Sequence, residues 1–131
     1  MLDDTAFRGS KLCIVGSICR DVKTSPLAPG DHLCHDGETP ADYLVETIGG
    51  GGANSALFAA GLGAEARFAG KVGTDALGAR LEQELQRRGV CSYVRRDPLV
   101  RTGSSIVLSY TNGCRHFISA QPNNCALDFG D

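Results

Sequence analysis

No apolar run in the 131 residues approaches the ~20 needed to cross a bilayer, which excludes a membrane-spanning helix. Nor is there a basic excess: 13 Lys and Arg stand against 15 Asp and Glu, a formal net charge of −2. Without a large positive field, nucleic acid and anionic lipid are excluded as main partners. The start, Met1-Leu2-Asp3-Asp4, lacks the basic-then-apolar order of a signal peptide. No CxxC pair occurs among Cys13, Cys19, Cys34, Cys91, Cys114 and Cys125. With no export signal either, they read as reduced thiols of a cytoplasmic protein. His32, Cys34 and His35 lie close together, but no second ligand pair stands at a finger or ribbon spacing. They read as a polar loop, and no metal site is expected. Internal repeats and a Pro/Ser-rich hinge are absent as well, so the chain fits one domain of ordinary size.

What the chain has in plenty is glycine, 17 residues of 131 against an average of about 7%. Most of them punctuate periodic segments. Lys11 to Ser17 reads as a buried strand, and the proline- and glycine-marked stretch from Asp21 to about Asp42 reads as turns. Tyr43 to Ile48 is extended, Ala53 to Leu62 helical, and Ala66 to Val72 a second buried strand. Thr74 or Asp75 is placed to cap a helix over Ala76 to Arg88, with Leu77, Leu81 and Leu85 on one face and Gly89 as its stop. A short strand follows around Tyr93. Ser104–Tyr110 and Cys114–Ser119 flank Thr111-Asn112-Gly113, a hairpin signature. The expected class is therefore α/β with a partly parallel sheet.

Gly49, Gly50, Gly51 and Gly52 form a block leading through Ala53-Asn54 into a helix. Residues without Cβ let backbone amides approach a ligand, and a helix start adds unpaired N–H groups. The Asn54 amide could grip hydroxyls. A tightly packed turn with Asn54 as a cap reads equally well from these residues alone. Two nucleotide motifs are excluded. Gly16 stands alone where a GxGxxG fingerprint belongs, and Gly70-Lys71-Val72 lacks the hydroxyl and earlier glycine of a phosphate loop.

The pattern Gly49-Gly50-x-Gly52-x-Asn54-x-Ala56, with Gly63 and Gly73 at the later spacings, resembles the signature of the ribokinase-like, or PfkB-type, carbohydrate kinases. Gly70-Lys71-Val72-Gly73-Thr74-Asp75-x-x-Gly78 is similar to that family's second βα turn. Gly16-Ser17-Ile18 with Asp21 resembles its first strand end, and Pro122-Asn123-Asn124 its later loop. The resemblance implies a Rossmann-like βαβ core with a small β lid, made from the Tyr43–Ile48 segment and the Ser104–Ser119 hairpin. It implies a sugar or polyol substrate contacted by the Asp21 carboxylate, by backbone at Gly50, Gly51 and Gly52, and by Asn54. Two departures stand out: Cys19 where some members carry Asn, and Gly51 where others carry Lys. Thr74 and Asp75 read as capping, Lys71 as a surface charge at a strand end, and His116 as a packed or lid-face side chain.

ATP with Mg2+ is the implied cofactor pair, and a homodimer through the lid the implied assembly. The family's general base starts a C-terminal Gly-Ala-Gly-Asp helix that has no counterpart here, and Asp128-Phe129-Gly130-Asp131 supplies none. No catalytic residue is therefore assigned. Residues 1–131 are expected to be the N-terminal substrate-binding and lid part of a ribokinase-like domain, inactive alone. A nucleoside kinase of the same fold and a non-catalytic binding or dimerisation module are the competing readings.

Overall fold

The computed structural model describes residues 7–31 and 35–128. His32, Cys34 and Phe129-Gly130-Asp131 lie outside the described residues. The apolar stretch KLCIV forms β1 (Lys11–Val15), and EARFAGKVG forms β4 (Glu65–Gly73). Between them in the chain come β2 (Cys19–Thr24), β3 (Leu44–Gly49) and α1 (Gly51–Gly61). After β4 follow α2 (Ala76–Arg87), β5 (Cys91–Asp97), β6 (Ser104–Ser109), β7 (Arg115–Ala120) and the short turn α3 (Pro122–Cys125).

Two sheets result. β1, β4 and β5 pair in parallel in the order β1-β4-β5. β3, β2, β6 and β7 form a second sheet in that order, in which β2 and β6 are parallel and the outer pairs antiparallel. Parallel neighbours need a crossover, and α1 and α2 supply it. They bury one face of the parallel sheet around Phe68, Val72, Ala53, Ala56, Leu81 and Leu85. Phe68 is fully enclosed, its ring resting where Gly52 and Gly70 have no side chain.

The other face of the parallel sheet is largely open. Val15, Ala69 and Tyr93 share one cross-strand row there, with Val15 68% and Tyr93 59% exposed. Apolar surface of this kind drives association. The 131-residue chain is expected to sediment as concentration-dependent oligomers; a single monomer boundary across the range would contradict this.

Several expectations need correction. The stretch from Asp21 opens not with a turn but with the rest of β2. Its CRDVKT sequence has charges on both faces, and pairing to β3 and β6 rather than apolar alternation makes it a strand. α1 starts at Gly51 instead of Ala53, so half the glycine block is helical. Asn54 does not cap it: the N-cap is Gly50, without a side-chain bond. Pro122–Cys125 is a helical turn, not a loop. Lys71 is no surface charge. It is 6% exposed, and its Nζ donates to the Ala126 carbonyl at 2.7 Å and lies 3.5 Å from Asp97 Oδ2.

Asp75 does cap α2. Its Oδ1 accepts from the Gly78 amide (2.9 Å) and the Thr102 hydroxyl (2.7 Å), and its Oδ2 from the Thr102 amide (2.9 Å). Burial raises this carboxyl's pKa, but the bonds from Thr102 and Gly78 outweigh it and hold the group below the usual carboxylate range. Replacing Asp75 by Ala should cost about 1–2 kcal/mol in urea unfolding. Because the folded pKa is depressed, the contribution is complete above the unfolded carboxylate pKa and fades as pH falls through the folded one. Asp75→Asn should therefore flatten the acid limb of stability against pH.

Candidate functional site

A hollow of about 330 Å³ opens where the N-terminus of α1 meets the β3-β2-β6-β7 sheet. Such a volume lies at the lower end of small-ligand sites. Side chains in register across strands share a face. Three rows of this sheet line the hollow. Asp21, Ser105 and Ser119 make the first; Lys23, Val107 and Phe117 the second; Ser109 and Arg115 the third. Gly50, Gly51 and Asn54 form the opposite wall.

Local sequence explains how that wall is shaped. Gly50 has φ +91°, a conformation L side chains rarely adopt, and a Cβ there would lie 2.5 Å from the Ser17 carbonyl oxygen. The chain can then turn straight from β3 into α1. Ser17 holds the helix start: its Oγ accepts from the Gly51 amide at 2.9 Å and its carbonyl from the Ala53 amide at 3.0 Å. The Asn54 amide is taken by the Gly50 carbonyl at 3.0 Å. The Gly51, Ala53 and Asn54 amides are thus committed inside the protein.

The first row is a polar network. Ser105 Oγ accepts from Ser119 Oγ at 2.9 Å and from Gln121 Nε2 at 3.0 Å. The Cys19 thiol is buried and lies 3.6 Å from Asp21 Oδ1, to which it donates. Burial, and then the Asp21 charge, push its pKa up to about 11, so it remains a protonated donor. One oxygen of Asp21 thus carries an internal partner.

The start of β2 is fixed from behind. Asn123 is fully buried; its Nδ2 donates to the Ile18 and Lys71 carbonyls at 2.9 and 2.6 Å, and its Oδ1 accepts from the Gly103 amide at 2.8 Å. Asn124 Oδ1 accepts from the Ile18 amide at 3.0 Å, and its Nδ2 donates to Gln121 Oε1 at 2.7 Å. One side chain ties β4 of the parallel sheet to the strand that carries Asp21.

Of the residues expected to meet a substrate, the structure brings together Asp21, Gly50, Gly51 and Asn54. Gly52 is the exception. It turns into the fold against Gly16, where a Cβ would come within 2.8 Å of the Gly16 Cα, and it does not line the hollow. Its lack of a side chain serves close packing of α1 on the end of β1. Sequence reading passed over Lys23, Ser105, Ser109, Arg115, Ser119 and Gln121. For Ser105, Ser109, Arg115 and Ser119 the period-2 alternation of the hairpin held the signal, whereas Lys23 stands on β2 and Gln121 beyond the end of β7. His116 is exposed on the sheet face away from the hollow. The five described cysteines are all unpaired. Among the described residues no group of three His, Cys, Asp or Glu side chains is placed to hold a metal ion, and no helix is long and apolar enough to cross a membrane.

Known proteins share this arrangement. Bacillus subtilis ribokinase is 34% identical over 115 residues, covering 86% of this chain and 34% of its own length. The structure of a Halothermothrix orenii fructokinase superposes with a TM-score of 0.74 at 18% identity, over 90% of this chain and 40% of that one. A Xylella fastidiosa fructokinase with bound ATP gives 0.68 at 24% identity, over 90% and 36%. The chain thus spans about a third of the length of the ribokinase it matches. The fold is ribokinase-like α/β, and the family model for the pfkB carbohydrate kinases matches residues 10–129. The glycine turn seats a helix beside a carboxylate on a four-stranded sheet, and by the family model and the ribokinase match the chain belongs to the pfkB family of carbohydrate kinases.

Proposed function

We propose that the hollow binds the acceptor of an ATP-dependent phosphorylation, a sugar or sugar-like alcohol, and that this chain carries the acceptor-binding half of the enzyme. The observation behind this is the meeting of Asp21 and Asn54 on facing walls of one hollow, among Ser105, Ser119 and Gln121. Carboxylate, amide and hydroxyl groups together can both donate to and accept from neighbouring hydroxyls. The walls are mostly polar, with Val107 and Phe117 as the apolar exceptions, which favours a polyol over a flat nucleobase. Cys19 would act through Asp21, holding its carboxylate in one orientation.

ATP with Mg2+ is the phosphoryl donor in this reading, in keeping with the ATP held by the Xylella fastidiosa fructokinase. The amides of Gly51, Ala53 and Asn54 are taken, and among the described residues no metal-ligating cluster stands nearby. Phosphoryl transfer rests on positioned charge around the phosphate. The 131 residues alone should bind acceptor without turning it over. A homodimer through the lid sheet and a cytoplasmic location belong to the same proposal. For the dimer, Ile106 and Ile118 pair across β6 and β7 on the face away from the hollow, 47% and 45% exposed.

Titrating the chain with ribose, fructose and adenosine, followed by amide chemical shifts, tests the reading. A sugar should perturb Gly50, Gly51 and Asn54, and Asp21→Asn should weaken that response at least about tenfold. Adenosine binding in place of both sugars would make the chain part of a nucleoside kinase. Silence from all three ligands would overturn the acceptor site.

A further inference from the structure

Ser105 is a buried hydroxyl on β6 with no acceptor position to spare. Its Oγ takes bonds from Ser119 Oγ at 2.9 Å and from Gln121 Nε2 at 3.0 Å. A hydroxyl has two acceptor positions and one proton, so with both positions filled that proton must be donated elsewhere. The direction of the Gln121 bond is fixed from the backbone. The Ile18 N–H can only donate, so the Asn124 atom that meets it at 3.0 Å is the amide oxygen. Asn124 Nδ2 is then left to donate to Gln121 Oε1 at 2.7 Å, and Gln121 turns its nitrogen to Ser105.

The other end of the row runs the same way. A carboxylate accepts only, so the Cys19 thiol is the donor toward Asp21 Oδ1, 3.6 Å away. Ser105 stands level with Asp21 in the β2–β6 register, and Cys19 lies two positions earlier on the same face. Burial and then the Asp21 charge raise the Cys19 pKa, and the Ser105 hydroxyl counters them, as a donor to the sulfur does. We propose that Asn124, Gln121, Ser105, Cys19 and Asp21 form a one-way hydrogen-bond chain in which Gln121 and Ser105 are positioning residues, holding the Cys19 proton on Asp21 Oδ1 and leaving Oδ2 to a hydroxyl of the acceptor. This rests on the acceptor-site reading and adds that Ser105 works through Cys19 rather than by touching the sugar. A donor that itself accepts a bond donates more strongly, so losing the Ser105 proton weakens the hold on Asp21.

The test is titration of the chain and its variants with ribose and fructose, together with infrared spectra. Cys19→Ala and Ser105→Ala should each weaken sugar binding about three- to tenfold. The Cys19→Ala, Ser105→Ala double variant should bind within about twofold of Cys19→Ala alone, because the two losses are one loss. Cys19→Ser, whose hydroxyl can both accept from Ser105 and donate to Asp21, should restore binding. The S–H stretching band of Cys19, recognised as the one missing from Cys19→Ser, should move to higher wavenumber in Ser105→Ala. It should do so in Gln121→Glu as well, since that carboxylate draws the Ser105 proton to itself. Thermal midpoints check the fold, and Gln121→Glu, which keeps the side-chain volume, serves where Ser105→Ala does not fold. The proposal fails if the losses multiply in the double variant, or if Cys19→Ser binds no better than Cys19→Ala. An S–H band that stays in place in both Ser105→Ala and Gln121→Glu also overturns it. Each of these results, with sugar still bound by the parent chain, removes this inference alone; no binding of either sugar by the parent removes the acceptor site with it.

Discussion

Replacing Asn123 by Ala should cost about 3–5 kcal/mol, a large part of the ~5–15 kcal/mol that keeps a domain folded. The side chain is fully buried and bonds three backbone groups from three separate segments: the carbonyls of Ile18 and Lys71 and the amide of Gly103. Alanine supplies neither donor nor acceptor. The site is too enclosed for water to replace both without rearrangement, so each backbone group left unpaired costs about 1–3 kcal/mol. Asn123→Asp distinguishes loss of bonding from loss of volume. It keeps the shape and the acceptor for Gly103, but puts an oxygen against two carbonyls, and it should be at least as damaging near neutral pH. Urea unfolding of the three proteins measures this; an Ala variant within about 1 kcal/mol of the parent would show that the hub is dispensable. Because Ile18 begins the turn into β2, partial loosening should also broaden the amide signals of Cys19 and Asp21 before global unfolding.

That hub also shows where sequence reading stops. The parallel layer was legible, because KLCIV and the Ala66–Val72 run are short apolar strands and Leu77, Leu81 and Leu85 recur at helical spacing. The hairpin was legible from Asn-Gly between alternating strands. β2 was hidden, since Cys-Arg-Asp-Val-Lys-Thr has no apolar face and gains its strand form from neighbours distant in sequence. Lys71 was misread for a related reason: its burial depends on Asp97 and Ala126, which only the tertiary fold brings near. In the site, the glycine block and Asp21 could be found through the spacing of their motif. The hairpin's alternation separates its two faces, but which of them turns toward the hollow depends on how the β3-β2-β6-β7 sheet meets α1.

Gly49→Ala should lower sugar affinity at least about tenfold while leaving the fold largely intact. Gly49 pairs with Cys19 across β3 and β2, and a Cβ built on it would run into the Asp21 carboxylate. The obstacle is the end of a side chain, not backbone, so Asp21 can swing aside at modest cost in stability. Swinging aside takes its oxygens away from the Cys19 thiol and from the place where a hydroxyl would be gripped. Gly50→Ala is the contrasting case. There the added methyl meets the Ser17 carbonyl and the Ile18 Cα, and the backbone sits at φ +91°. No side chain can yield, and about 1–3 kcal/mol of stability should be lost with the α1 turn. Denaturation midpoints and sugar titrations of both variants separate the two costs. If Gly49→Ala binds sugar as the parent does, the Asp21 carboxylate is not what holds the substrate, whatever the fate of Gly50→Ala.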